Sequence, residues 1–159
     1  MKKLKLVLLF LVLLFPAGLI YAQNNSSAQN AVGKPRLNHI AVYVNNLQKS
    51  TDFYETVLNL KKISEPFHDG KHTWFNIEGS SNLHLIQGAS KETEHDINDH
   101  LCFSIKSIKS MIGVLKDKGI AYRNWAGEPN AFTLRVDGVK QIYFQDPDGH
   151  WIEINDDYN

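Results

Sequence analysis

Sulfur is scarce in this chain of 159 residues, because Cys102 is its only cysteine. A single thiol cannot close an intramolecular disulfide, so packing of buried side chains must hold the fold together. Basic blocks and stripes of alternating basic and aromatic residues are also missing. These are the features of a nucleic-acid-binding surface, so we expect no nucleic-acid partner.

Only one long apolar run is present, at residues 6–20. It is shorter than the roughly 20 residues that a membrane helix needs, and Pro16 interrupts it. A lysine-rich start precedes the run, and the small residue Ala22 follows it. This order is typical of a secretory signal peptide at residues 1–22. We therefore predict cleavage after Ala22 and export, to a periplasm or the medium, of a chain without a membrane segment.

Removing 22 of the 159 residues leaves 137, enough for one domain with a core of its own. Three lysines leave with the signal, so 14 lysines and arginines face 17 acidic residues, a net charge of −3. The next segment, QNNSSAQNAVGKP at 23–35, is polar and is predicted to be a flexible leader. The domain itself is predicted at residues 36–157.

Two segments of the domain resemble each other, NHIAVYV at 38–44 and DHLCFSI at 99–105. Each has a histidine in second place of an apolar strand. Each precedes a stretch with helical spacing of apolar residues and then further strands. Asn45 or Asn46 is the predicted cap of the first helix, and Ser107 of the second, which Gly119 ends. An internal duplication of about sixty residues explains the pattern. The later strands are predicted at 72–77 and 82–87 in the first half, and at 133–136, 140–145 and 150–155 in the second.

Strand alternation predicts four polar residues opposite the faces that the helices cover. Taken singly, each is compatible with a hydrogen-bonded packing position or a solvated sheet face. The match between the two halves favours a metal, since imidazoles and a carboxylate are ligands of divalent transition metals. A metal also offsets the cost of burying a carboxylate. The four residues are His39, His84, His100 and Glu153.

Four segments of the domain, at residues 38–60, 82–87, 99–105 and 142–156, carry a resemblance to a known family. With them the chain resembles the vicinal oxygen chelate superfamily, which includes glyoxalase I, fosfomycin-resistance proteins and extradiol dioxygenases. The resemblance implies an α+β fold of two βαβββ modules that form an open barrel-like cleft around one metal. It also implies that the first and last strand of each module supply the ligands, His39, His84, His100 and Glu153. His84 stands where glyoxalase I often has a glutamate, so it is either a fourth ligand or a neighbour of the substrate. The segments that carry the resemblance are NHIAVYVNNLQKSTDFYETVLNL, NLHLIQ, DHLCFSI and IYFQDPDGHWIEIND.

The function implied is that of an exported, metal-dependent lyase or isomerase acting on a small oxygen-bearing substrate. One divalent ion (Zn, Ni, Mn, Co or Fe(II)) would stabilise an enolate or alkoxide, and Glu153 would alternate between ligand and base. A fosfomycin-type transferase, an Fe(II) dioxygenase and a non-catalytic, bleomycin-resistance-like binding protein are the alternatives. The sequence leaves the oligomeric state open between monomer and homodimer.

Other polar residues have competing interpretations. Cys102 shares the face of His100, yet we expect no ligation by it, because three histidines and a glutamate already complete a coordination set. Arg135 holds either a substrate anion or a surface salt bridge. His68 and His72 are four residues apart, a spacing that would suit a metal on a helix, but the Asp69-Gly70 pair between them predicts a turn, so we expect no metal there. The DPDG turn at 146–149 is expected to fix the hairpin that presents Glu153.

Overall fold

The computed structural model describes residues 31–90 and 94–158. From Leu37 onward the chain forms one compact unit. The predicted signal peptide and residues 23–30 of the leader lie outside the described residues, and both remain predictions. No helix in the described part of the chain has the length and apolar character needed to cross a membrane.

The first half of the domain is one βαβββ module. Its sheet has the order β1-β4-β3-β2, in which β1 is parallel to β4 and the other neighbours are antiparallel. The β1 strand is therefore one edge of the sheet, next to the central β4. The elements are β1 (His39–Val44), α1 (Leu47–Thr56), β2 (Lys61–Ile63), β3 (His72–Asn76) and β4 (Asn82–Gln87).

The second half repeats this architecture. Its sheet has the order β5-β8-β7-β6, again with a parallel first pair and antiparallel neighbours. The internal duplication and the predicted α+β fold of two βαβββ modules with unclosed sheets are thus confirmed. The elements are β5 (His100–Ser104), α2 (Ile108–Asp117), β6 (Thr133–Leu134), β7 (Lys140–Gln145) and β8 (Trp151–Asn155).

The predicted helix caps are found at the helix ends. The side chain of Asn46 accepts a hydrogen bond from the backbone N–H of Lys49, and Ser107 accepts one from Ser110. Gly119 has a φ of +66° directly after the last turn of α2, a conformation that favours glycine. Capping side chains satisfy backbone N–H groups that the first helical turn leaves without partners.

Two strands differ from the sequence prediction by more than one residue. The strand Lys61–Ile63 was not predicted, because all three of its residues are exposed and its pattern does not alternate. The predicted strand at 133–136 ends at Leu134, where the chain enters a turn. In that turn the Arg135 N–H donates to the Val139 carbonyl (2.8 Å) and the Gly138 N–H to the Arg135 carbonyl (2.9 Å).

Helix α1 packs against the apolar faces of both sheets. The ring of Tyr54 lies 6.3 Å from that of Phe75 in β3, and the ring of Phe53 lies 6.3 Å from that of Phe144 in β7. The two strand residues, Phe75 and Phe144, are fully buried in one continuous core. Burial of each such side chain contributes about 1.5–3 kcal/mol. Because the apolar faces meet at α1, the polar faces of the two sheets turn away from the shared core.

The DPDG turn holds the modules together. Tyr54 donates its hydroxyl hydrogen to the buried Asp146 carboxylate (2.8 Å), and Ser50 donates to Asp148 (2.5 Å). The backbone N–H of Asn45 donates to the other oxygen of Asp148 (2.6 Å). Beyond shaping the β7–β8 hairpin, the turn therefore fixes that hairpin to the start of α1.

Candidate metal centre

His84 and Glu153 occupy equivalent positions in the two central strands. His84 lies between Ala41 of β1 and Trp74 of β3 in the sheet register. Glu153 lies between Cys102 of β5 and Tyr143 of β7. Register partners point to the same face, so each central residue faces outward among its cross-strand neighbours. The sequence alternation predicted these faces correctly.

Glu153 is buried, with only 5% of its surface exposed, and four side chains donate hydrogen bonds to its carboxylate. Tyr143 donates to Oε2 (2.6 Å), while Gln141 (2.6 Å), Asn155 (3.1 Å) and Cys102 (3.2 Å) donate to Oε1. Burial alone would raise the pKa of Glu153, but these hydrogen bonds outweigh it and lower the pKa. The carboxylate is therefore ionised at neutral pH, as a metal ligand must be.

A ring nitrogen of His100 faces this carboxylate. The Ile97 carbonyl lies 2.6 Å from His100 Nδ1, and a carbonyl only accepts, so Nδ1 carries the hydrogen. In the neutral ring, Nε2 then has a lone pair, and it lies 3.3 Å from Glu153 Oε2. Two lone pairs at this distance repel unless a cation or a proton lies with them. A backbone carbonyl behind Nδ1 is also the usual outer partner of a metal-binding histidine, so this pair fits a metal ion.

In the first module, His39 is oriented in the same way. Its Nδ1 lies 2.7 Å from Asn38 Oδ1, which accepts the hydrogen bond. This leaves Nε2 as the nitrogen with a lone pair. The ring lies 5.8 Å from that of His84 and 5.0 Å from that of Trp74. His39 and His100, which start equivalent strands, are thus both prepared to ligate through Nε2.

His84 is more enclosed than His39. Its Nε2 lies 2.8 Å from His72 Nδ1, a hydrogen bond in which one ring donates and the other accepts. The Trp74 ring stacks on the His84 ring, with centroids 4.3 Å apart. Burial, followed by the neighbouring His72 and His39, lowers the pKa of His84. The ring therefore stays neutral to a lower pH than a free histidine, which suits either a ligand or a hydrogen-bonding neighbour of the substrate.

Within one chain, the structure brings the four predicted ligands together as two pairs. His39 lies near His84, and His100 contacts Glu153. In residues 31–90 and 94–158, no three His, Cys, Asp or Glu side chains lie together in a group that could hold a metal. The four-residue ligand set remains a prediction. We call His39 and His84 the first half-site, and His100 and Glu153 the second half-site.

The predicted strand that begins at His72 is confirmed, and so is the predicted turn before it. The turn is present before it, where His68 and Gly70 have φ values of +55° and +73°. His72 itself begins β3 and shares a face with Trp74, contacting His84. The alternation in HTWFN, with His72 and Trp74 opposite Thr73 and Phe75, is the sequence signal that locates it.

The Arg135 guanidinium is paired with carboxylates of its own chain. Its guanidinium pairs with Asp137 and lies 4.0 Å from Asp157. The predicted surface salt bridge of this residue is confirmed. Burial and the adjacent Glu153 raise the pKa of the Cys102 thiol to about 12, so the thiol donates to Glu153 as a neutral S–H.

Several residues of the half-sites were missed from the sequence. Gln141, Tyr143 and Asn155 hold Glu153, and all three lie at alternate positions of KQIYFQ and HWIEIN, on the Glu153 face. Trp74, which stacks on His84, is another such residue. Its Nε1 is buried and has no hydrogen-bond partner in the described part of the chain. Such a donor suits a ligand that brings an acceptor.

The family model of the glyoxalase/bleomycin resistance protein/dioxygenase superfamily matches residues 36–154. The chain belongs to this superfamily. It is 29% identical over 134 residues to glyoxylase I 4 of Arabidopsis thaliana, covering 80% of this chain and 74% of the plant protein. It is 28% identical over 125 residues to metallothiol transferase FosB of Staphylococcus epidermidis, covering 75% of this chain and 80% of FosB.

Solved structures share the fold. The fosfomycin resistance protein FosX of Listeria monocytogenes superposes with a TM-score of 0.63 at 24% identity, covering 79% of this chain and 95% of FosX. At this identity the similarity concerns the fold alone. The superfamily suggested by the sequence motifs is thus confirmed by the family model, and the solved structure supports the fold.

Proposed function

We propose that this protein is an exported, metal-dependent lyase or isomerase of the glyoxalase type that acts on a small oxygen-bearing molecule. The observation that carries the proposal is the contact between His100 Nε2 and Glu153 Oε2, at 3.3 Å. An ionised carboxylate and an imidazole lone pair that face each other form half of a divalent metal site.

We further propose that two copies of the chain complete the site. The polar faces of the two sheets turn away from the core around α1, and each face carries one half-site, so a second copy of the chain would supply the half that each site lacks. In a symmetric homodimer, the first half-site of one copy faces the second half-site of its partner. Such a dimer has two equivalent sites, as an isologous interface requires.

His39, His100 and Glu153 would hold the metal, with His84 as the fourth ligand. When bound, one divalent ion (Zn, Ni, Mn, Co or Fe(II)) supplies Lewis-acid stabilisation to a substrate oxygen that gains negative charge. To ligate through Nε2, His84 must exchange its hydrogen bond with His72. It is therefore the weakest of the four proposed ligands.

The chain's own side chains hold and orient the reacting groups. Gln141 and Tyr143 keep Glu153 ionised and fix its two oxygens. The lowered pKa of Glu153 makes it a good ligand and a weak base, so it accepts a substrate proton only once one of these hydrogen bonds is released. Trp74 Nε1–H has no acceptor among the described residues, so it can donate to a substrate acceptor beside the first half-site.

Metal content and proton exchange test this function. The protein is purified from the compartment to which it is exported, its metals are quantified, and solvent deuterium uptake into α-hydroxycarbonyl compounds is followed by NMR. We expect one divalent ion per chain and deuterium incorporation that Glu153→Gln abolishes. Glu55→Gln is the matched control, because Glu55 is an exposed carboxylate paired with Lys62. Stoichiometric metal without any exchange would contradict lyase or isomerase chemistry.

A fosfomycin-type transferase is the second candidate. It is favoured by the hydrogen bond that already engages His84 Nε2, because it leaves three residues as ligands, His39, His100 and Glu153. The similarity to FosB, a metallothiol transferase, points the same way. If His84→Ala retains full metal content while the substrate preference changes, the three-ligand transferase site is the better description.

A further inference from the structure

Arg123 places a cation on the same face as the second half-site. Its backbone N–H donates to the Tyr143 carbonyl and its carbonyl accepts from the Tyr143 N–H, both at 2.9 Å. Residues paired in this way point to the same side of a sheet. The Arg123 side chain therefore lies on the face of Tyr143 and Glu153, one strand position beyond Tyr143.

The Arg123 guanidinium has no anionic partner in the described part of the chain. Its Nε is buried and makes no hydrogen bond there. The group lies over the Trp151 ring, with Cζ 4.4 Å from the ring centroid. The nearby loop contains the carboxylate of Glu128, but that carboxylate accepts a hydrogen bond from the Asn124 amide (2.7 Å). Buried donors in native proteins are normally paired, so an orphaned guanidinium nitrogen suggests an acceptor that arrives with a ligand.

A pocket of about 400 Å³ surrounds the guanidinium, with Tyr143, Gln145 and Trp151 among its walls. Gly127 closes one side, with a φ of +95°. A Cβ at that position would come within 3.1 Å of Arg123 Nη1, so the glycine lets the loop approach the cation. The pocket is thus formed around this side chain.

The pocket adjoins the second half-site. Trp151, which carries the guanidinium on its ring, is the direct register partner of His100. Trp151 also lines the neighbouring cleft that contains His100. A small molecule can therefore span from the guanidinium to the His100–Glu153 pair across one indole ring.

We propose that Arg123, supported by Trp151, binds an anionic group of the substrate, a carboxylate or a phosphoryl-type oxyanion. The guanidinium edge offers parallel N–H donors to two oxygens, and this geometry suits either anion. Stacking on the Trp151 ring fixes the orientation of the guanidinium plane and adds cation–π attraction. The part of this assignment that places the reacting oxygen at His100 and Glu153 rests on the proposed function. The anion site itself does not.

Two-dimensional NMR of the Nε–H signals of arginine tests the proposal on the full mature chain without metal. Acetate and methylphosphonate are titrated separately, and acetamide serves as the neutral counterpart of acetate. We expect at least one anion to move the Arg123 Nε–H and Trp151 Nε1–H signals saturably, with no response to acetamide at equal concentration. A response to acetate alone assigns a carboxylate, and a response to methylphosphonate alone assigns a phosphoryl-type group. No saturable shift with either anion overturns the proposal.

Matched variants locate the site. Arg123→Gln is expected to weaken anion binding at least about 10-fold, and Arg123→Lys to weaken it less while keeping the charge. Arg135→Gln removes the same charge from an ion-paired position and should leave binding unchanged. Equal losses in Arg123→Gln and Arg135→Gln would contradict the assignment. A separate Zn²⁺ titration distinguishes the two proposals: if Zn²⁺ fails to bind while the anion shifts persist, the metal centre is wrong and the anion site stands.

Discussion

The two modules place different chemistry on the same scaffold. At the centre of the first sheet, His84 is stacked on Trp74 and hydrogen-bonded to one other ring. At the equivalent place in the second sheet, Glu153 accepts four hydrogen bonds and contacts His100. The first environment keeps a neutral ring neutral, while the second keeps a buried carboxylate charged. The duplication thus preserves the position of the functional side chain, and the cross-strand neighbours decide its protonation state.

The largest effect should come from removing the charge of the second half-site. In Glu153→Gln, metal affinity should fall by more than the roughly 10–100-fold that loss of an outer partner costs. The new amide also places a donor among the donors of Gln141 and Tyr143, which should cost about 1–3 kcal/mol of unfolding free energy. Isothermal titration with Zn²⁺ and urea unfolding measure the two effects. Unchanged Zn²⁺ affinity would remove Glu153 from the ligand set.

Replacement of His84 should have a smaller effect, which sharpens the contrast between the modules. His84→Ala should weaken Zn²⁺ binding less than Glu153→Gln does, because His84 must give up its bond to His72 before it ligates. The same titration compares the two variants, with His68→Ala as control, since His68 is an exposed histidine in the turn before β3. A loss in His84→Ala equal to that in Glu153→Gln would make the two positions equivalent ligands.

Removing one hydrogen-bond donor to Glu153 should lower metal affinity less than removing its charge does. Tyr143→Phe deletes the hydroxyl that lies 2.6 Å from Oε2 and should reduce metal affinity about 10–100-fold. The pKa of Glu153 should rise, since that hydrogen bond is the leading contribution that lowers it. Carboxyl ¹³C NMR of metal-free protein follows the titration. An unchanged Glu153 pKa would show that Gln141 and Asn155 hold the carboxylate without the phenol.

The smallest expected effect is on the pH dependence of stability, which should differ between the variants of His84 and Glu153. The folded-state pKa of His84 is lowered from about 6.5, so the unfolded chain takes up that proton first and stability falls as pH drops below 6.5. The folded-state pKa of Glu153 is lowered from 4.5, so its contribution is complete above 4.5 and is lost as pH falls through the folded pKa. In metal-free His84→Asn, the free energy of unfolding should therefore depend less on pH just below 6.5. In Glu153→Gln it should depend less on pH only below 4.5. Urea unfolding across this pH range measures both. Identical profiles for the two variants would refute the distinction.

The sequence contained most of the fold because strand alternation and helix caps are local signals. NHIAVYV and DHLCFSI predicted both edge strands, and Asn46 and Ser107 marked both helix starts. Lys61–Ile63 left no signal, since a short exposed edge strand is defined only by pairing with β3. Turn chemistry was read correctly at 146–149, although its contacts with α1 are long-range and could not be foreseen.

The sequence predicted on which sheet face each candidate ligand lies, but not which side chains contact one another. Alternation placed His39, His84, His100 and Glu153 opposite the core. It could not show that α1 joins both apolar faces, because that depends on how the modules pack. Arg123 escaped notice because it lies outside the predicted strands and joins the sheet only through its pairing with Tyr143.

Mixing two defective variants tests most directly whether two copies share the metal centre. His39→Ala/His84→Ala lacks the first half-site, and Glu153→Gln lacks the charge of the second. Each alone should fail to bind Zn²⁺ with wild-type affinity. After co-refolding at equal amounts, every mixed dimer has one intact site, so about one quarter of the wild-type sites should return, as random pairing in a symmetric dimer requires. A mixture that binds no better than its components, or a wild-type monomer that binds Zn²⁺ with full affinity, would contradict the shared site.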